Sequence, residues 1–179
     1  MVYTGSRRVI RIIGIDPGSR ITGYGVLDSD GYRHRYVSSG FIAIEADALP
    51  ERLGVIFSEI GGIIERWRPE TMAVEQVFVN RNVDSALKLG QARGAAICAG
   101  VNANLAIGEY SPRSIKKAVV GSGAAEKEQV QHMVRMLLKL EHALQNDEAD
   151  ALAVAICHAH HFKLQGSGIA NGTRRGRWV

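Results

Sequence analysis

Apolar and polar positions along this chain follow two periods, and each change of period marks a new element. VIRIIGID (9–16) is a short apolar run rich in β-branched residues, the pattern of a buried strand. ITGYGVLD (21–28) and YRHRYVSSGFIAIEA (32–46) continue as strands, joined at DSDG, where Asp30-Gly31 is a strong hairpin signal. The period then lengthens. After Pro50, well suited to a helix start, Leu53, Ile56, Phe57, Ile60, Ile64 and Trp67 recur at helical spacing until Pro69 stops the run. TMAVEQVF (71–78) reads as a fourth strand, 82–103 as a long Ala- and Gly-rich helix, and LAIGEY (105–110) as a fifth strand. Helices are expected at about 112–119, 126–140 and 147–163.

Three strands in hairpin succession, followed by helix–strand–helix–strand–helix, make an α/β fold with a mixed five-stranded sheet flanked by helices. At 179 residues and 46% hydrophobic, the chain suits one compact domain, placed at 9–163. Residues 1–8 are expected to be a flexible extension and 164–179 a flexible basic tail. No internal repeat is visible. No apolar run is long enough to span a membrane, and the first residues lack the apolar segment of a signal peptide, so a cytoplasmic protein is expected. Cys98 and Cys157 sit in apolar helical patterns, which predicts small buried thiols rather than a disulfide framework.

The net charge of +4 changes meaning once it is located. Arg7, Arg8, Arg174, Arg175 and Arg177 lie at the two ends, where there are no acids. Setting these five aside leaves 17 basic against 18 acidic residues, a net of −1 for the domain. Within it, residues 81–127 hold Arg81, Lys88, Arg93, Arg113, Lys116, Lys117 and Lys127 against Asp84, Glu109 and Glu126. A basic patch beside separate acids suits a substrate with a phosphate backbone.

Those acids carry the candidate chemistry. NDEADALAVAI (146–156) puts Asp147, Glu148 and Asp150 in the first turn of a helix that is otherwise apolar on nearly every face. Helix starts favour acids, each favourable site contributing about 0.3–1 kcal/mol, and Glu148 fits that account. Asp150 does not, because a carboxylate on a buried helix is costly unless paired or bound to a cation. Asp16 and Glu75 each follow the apolar residues of a strand, and α/β sites form beyond the carboxyl ends of strands. If the first and fourth strands are neighbours and the last helix starts at that edge, Asp16, Glu75, Asp147 and Asp150 converge. Such a cluster repels itself unless cations enter, and hard oxygen donors select Mg²⁺ or Mn²⁺. Two ions would make a phosphodiester-hydrolysing centre.

The motifs IIGIDPGSRITGYGV (12–26), AVEQVFVNRNVDSALKLGQARGAA (73–96), KKAVVGSGAAEKEQVQHMV (116–134) and DEADALAVAICH (147–158) resemble the RuvC crossover-junction endodeoxyribonucleases, the bacterial Holliday-junction resolvases of DNA recombination and repair. The resemblance runs from about residue 9 to 162 without a large gap. It implies an RNase H-like fold, a homodimer, cytoplasmic action with the RuvA–RuvB branch-migration complex, and Mg²⁺-dependent nicking of two opposed strands of a four-way junction. It places the four catalytic, metal-binding carboxylates on Asp16, Glu75, Asp147 and Asp150, with two Mg²⁺ per subunit that Mn²⁺ can replace. Members carry Asp or His at the position of Asp147. The family's functional lysines fall on Lys116 and Lys127, where phosphate contact is the expected role. Phe78 matches an aromatic that contacts unpaired bases, a role stacking suits.

Other readings compete. A YqgF-like nuclease shares the first motif but not the text at 82–94, and a junction-binding protein without catalysis would not need an intact acidic set. GIDPGS also resembles the phosphate loop of actin- and sugar-kinase-like ATPases, which require two such domains. CHAHH (157–161) suggests soft-metal ligands, yet it lacks a second cluster at zinc spacing, and histidines near a helix C-terminus suit its dipole. A two-fold junction calls for a C₂ dimer, and the small residues Gly90, Gly94, Ala95, Ala96 and Ala99 on the helix at 82–103 are the candidate surface.

Overall fold

The computed structural model describes residues 8–77 and 83–166, with side chains in the last helix as far as Phe162. Five strands and five helices follow one another as β1 (Ile10–Asp16), β2 (Ile21–Ser29), β3 (His34–Ala43), α1 (Leu49–Trp67), β4 (Thr71–Glu75), α2 (Val83–Asn102), β5 (Ala106–Tyr110), α3 (Pro112–Val120), α4 (Lys127–Leu138) and α5 (Asn146–Gly166). The sheet order is β3-β2-β1-β4-β5. β1, β2 and β3 pair antiparallel, while β4 and β5 run parallel to β1. The strands expected first and fourth are therefore neighbours.

Strand alternation sends successive side chains to opposite faces, and here both faces are covered. Ile13 and Ile15 of β1, with Met72 and Val74 of β4, join the core beneath α1 and α2. Ile10 and Ile12, with Ala73, join the core beneath α3, α4 and α5. By the same parity Asp16 and Glu75 belong to the second face, the one that α5 covers. α5 lies unusually close to it. A Cβ on Gly14 would run into the backbone oxygen of Ala151 and come within 2.7 Å of Ala155 N. One on Gly23, the partner of Asp16 in the β1–β2 ladder, would meet the backbone of Asp147. Ala149 and residues 151–157 are essentially inaccessible, which is why the helix is apolar all round.

Local signals explain most boundaries. Gly31 takes a left-handed φ of 85° at the β2–β3 turn, and Asp30 Oδ1 accepts from the backbone N–H groups of Tyr32 and Arg33 at 2.9 and 2.7 Å. Arg68 (φ 48°) closes α1 ahead of Pro69. α4 stops at Leu138, short of the expected 140, because Lys139 turns left-handed (φ 53°) and the N–H of Leu140 reaches back to Arg135 O at 3.0 Å. β4 ends at Glu75 rather than 78; Gln76 still donates to Tyr110 O at 2.8 Å. Cys157 is buried as expected, whereas Cys98 is exposed on the outer side of α2, so the expectation of two buried thiols fails there. The small residues of α2 also divide. Ala96 and Ala99 pack into the chain's own core, while Gly90 and Gly94 face open space. Residues 1–7 and 167–179, which hold most of the expected extension and tail, lie outside the described residues.

Two glycine substitutions should separate close packing from helix propensity. Gly14→Ala forces α5 off the sheet and should cost about 1–3 kcal/mol in urea unfolding, as overpacking does. Gly61→Ala, in α1 with nothing within 4 Å of the added methyl, should instead stabilise by about 0.5–1 kcal/mol. Equal effects at the two positions would contradict the close approach of α5.

Candidate active site

Two strand ends and one helix start supply the acids. Ile15 pairs with Val74 across the parallel β1–β4 ladder, so the next residues, Asp16 and Glu75, end side by side. Their carboxyls are close enough to share a hydrogen bond, which exists only while one of the two keeps a proton. Burial, the charges of Glu75 and Asp150, that hydrogen bond and the charge of Asp147 together push Asp16 up to about 8. Glu75 is also raised, mainly by burial, with Lys127 and Lys116 pulling in the opposite direction. From α5, Asp150 faces the pair and forms an ion pair with Lys127, Nζ to Oδ2 2.6 Å. That bond holds the Lys127 ammonium above its usual range. Asp147, one helical turn earlier, adds its field to both Asp16 and Lys127.

Short-range chemistry fixes the frame around these groups. Ser111 caps α3 by accepting from Ser114 N at 3.2 Å, and Gly121 (φ 85°) ends that helix, which carries Lys116. A capping box between Glu126 and Gln129 starts α4 and sets Lys127 in its first turn. The start of α5 is held from two sides. Gln131 Nε2 donates to Asn146 Oδ1 at 3.0 Å, and Glu148 accepts from Gln145 N at 2.8 Å and from Ser39 Oγ at 3.3 Å. Glu148 is thus the helix-start acid that its position suggested.

Two clefts meet at Glu75. One is lined by Lys116, Lys127, Asp150, Ile115 and Val130 among others. The other is lined by Asp16, Pro17, Gln76, Val77 and Leu89. The structure therefore brings Asp16, Glu75, Asp150, Lys116 and Lys127 to one place, with Asp147 at its edge. Phe78 lies outside the described residues. Leu89 and Gln76 were not candidates from the sequence, because a leucine on a helix and a glutamine after a strand carry no chemical signal alone.

The donor set suits hard divalent cations: carboxylates alone, crowded enough that one retains a proton. Among the described residues no three acidic, histidine or cysteine side chains are already gathered about one point. Asp16 must therefore give up its proton, and Asp150 part from Lys127, for all the oxygens to be used together.

Without divalent cations the raised Asp16 has a stability signature. The folded state holds its proton more tightly than the unfolded chain, so its contribution is complete at acid pH and is lost as pH rises from about 4 through 8. The chain in EDTA should be less stable at pH 8 than at pH 6. Asp16→Asn should reduce that difference in thermal melts, and an unchanged slope would show that Asp16 titrates normally.

Residues 12–158 match the family model described as crossover junction endodeoxyribonuclease RuvC. The chain is 55% identical over 169 residues to that protein from Photobacterium profundum, covering 93% of this chain and 98% of the relative. It is 57% identical over 152 residues to that of Shewanella loihica, covering 85% and 88%. Among solved structures, Thermus thermophilus RuvC in complex with Holliday junction substrate superposes with a TM-score of 0.82 at 34% identity, covering 87% of this chain and 96% of that one. The yeast mitochondrial Holliday junction resolvase Ydc2 shares the fold at a TM-score of 0.61 and 10% identity, covering 93% and 89%.

Proposed function

Because this chain belongs to the RuvC family of crossover junction endodeoxyribonucleases, we propose that it resolves four-way (Holliday) DNA junctions by paired, Mg²⁺-dependent nicks. The observation that carries the reading is the acidic pair at the ends of β1 and β4, faced by Asp150 and walled by two lysines. Asp16, Glu75, Asp147 and Asp150 would hold two Mg²⁺ ions, or Mn²⁺ in their place. Bound there, such ions supply water activation and neutralise charge at the scissile phosphate.

The protein's own groups do the rest. Asp16, protonated in the ion-free cleft, loses its proton as the cluster is neutralised. Lys127 leaves Asp150 for a phosphate oxygen, and Lys116, on the same wall, takes a second phosphate contact. Phe78, which the family resemblance assigns to contact with unpaired bases, would act by stacking on one of them. RuvA and RuvB, as the family resemblance implies, would deliver the junction. Among the described residues no helix is long and apolar enough to cross a membrane, and a cytoplasmic setting suits a DNA substrate.

One acidic cluster makes one nick, so two opposed strands call for a C₂ dimer. The exposed Val83 and Leu87, beside the open faces of Gly90 and Gly94 on α2, are the self-complementary surface we favour. Ala96 and Ala99 take no part in it, being committed to the core.

Asp16→Asn and Glu75→Gln should each abolish cleavage of a synthetic four-way junction in Mg²⁺ while leaving junction binding intact or tighter, because negative charge near phosphates is removed. Lys116→Ala should weaken binding and flatten its salt dependence by about one phosphate contact. Cleavage at the unsubstituted rate by either acid variant would place the chemistry elsewhere.

Sedimentation at micromolar concentration should give about twice the monomer mass of 19.4 kDa. Leu87→Lys on the exposed α2 face should shift the protein to monomer and leave an intact junction without paired nicks. A dimer undisturbed by that charge would move the interface to another face.

A further inference from the structure

At the opposite end of the sheet from the acids, two histidines from distant parts of the chain face each other. His34 begins β3 and His160 lies in the last turns of α5, and their Nε2 atoms are 3.3 Å apart. Asp16 pairs with Gly23 and Ile10 with Ser29 along the same ladder, so this contact sits about 20 Å from the carboxylates at roughly 3.3 Å per strand residue. It belongs to a different site.

The pair is oriented, not incidental. His34 Nδ1 lies 2.9 Å from Ser29 Oγ, which is itself buried and accepts from Gly31 N at 2.9 Å. The tautomer that donates from Nδ1 to Ser29 leaves the Nε2 lone pair of His34 facing His160. A hydrogen bond of this kind behind the ring is what holds metal-binding histidines in place. Burial and the neighbouring His160 hold His34 down at about 4, so it is a neutral imidazole at physiological pH. The charge of Asp30 acts on the same ring and favours a cation beside it.

The distance decides the class of ligand. Two Nε2 atoms 3.3 Å apart, each bound to a cation at about 2.05 Å, subtend about 107° at that cation, the tetrahedral angle that Zn²⁺ prefers. Imidazole suits borderline transition ions and not Mg²⁺. We propose that His34 and His160 form a second metal site, a two-histidine chelate for Zn²⁺-like ions. It clips the β2–β3 hairpin to the far half of α5. The neighbouring histidines are committed elsewhere. His158 is buried between Thr71 Oγ1 at 3.0 Å and Tyr110 Oη at 2.8 Å, and His161 Nδ1 hydrogen-bonds the carbonyl of Cys157 at 2.8 Å.

The test is a Zn²⁺ titration of the full chain carrying Cys98→Ser, which removes the exposed thiol, in saturating Mg²⁺ to keep the carboxylates occupied. Calorimetry should show one equivalent bound, and the melting temperature should rise by a few degrees. His34→Gln and His160→Ala should each weaken that binding at least about tenfold and cancel the rise, while His161→Ala retains both. His34→Gln, at the surface start of a strand, carries the test alone if His160→Ala fails to fold. Undiminished binding in His34→Gln, or equal loss in His161→Ala, would overturn the site.

Discussion

The structure depends on how closely α5 lies on the sheet. Side chains ordinarily hold a helix away from the strands it covers. Here glycines at positions 14, 23 and 25 remove them, and the helix backbone rests on β1 and β2. Nearness along β1 also sets direction and register. With Gly23 under Asp147 and Gly14 under Ala151 and Ala155, the first turn of α5 has one place to be, at the carboxyl ends of β1 and β4. A helix start and two strand ends are thereby joined into one group of acids by contacts of glycines with the helix backbone, not by contacts between carboxyl groups.

That geometry creates an electrostatic problem which the chain answers within itself. Four carboxyls in a half-buried cleft cannot all carry charge without a counter-charge. One proton, shared between Asp16 and Glu75, relieves part of the repulsion, and the ammonium of Lys127 relieves another part at Asp150. On the function proposed above, both would be exchanged, the proton for a divalent cation and the lysine for a phosphate. The proton and the ammonium together let the acids sit side by side in the ion-free protein. α3 and α4 contribute chiefly by position, since their caps, rather than long side-chain networks, bring Lys116 and Lys127 to the cleft wall.

Elsewhere, buried polar groups tie the layers together. Asp28 accepts from Arg11 and Arg35, and these guanidinium groups hold its carboxyl below the usual range; Arg11 also donates to Trp67 O at the end of α1. His158 links Thr71 of β4 to Tyr110 of β5 from within α5. Each is a polar group whose burial is tolerated because its hydrogen bonds are made, and each stitches α1 or α5 to a particular strand.

Much of this was present in the order of residues alone. Local rules act over a few positions, so the strands, the Asp30-Gly31 turn, the Pro50 and Pro69 limits of α1 and the all-apolar character of α5 could be read directly. So could the oddity of Asp150, a charge where burial forbids one unless it is paired. Boundaries that depend on left-handed residues, such as Lys139, were less visible, because nothing in a lysine announces φ > 0. Tertiary structure alone decided which strands adjoin, and hence that Asp16 meets Glu75. It also decided which alanines of α2 are spent on the core, that Lys127 pairs with Asp150, and that two histidines 126 positions apart touch. These are properties of approach between distant segments. Pattern along a chain records which face a residue prefers, but not which other segment will lie against that face.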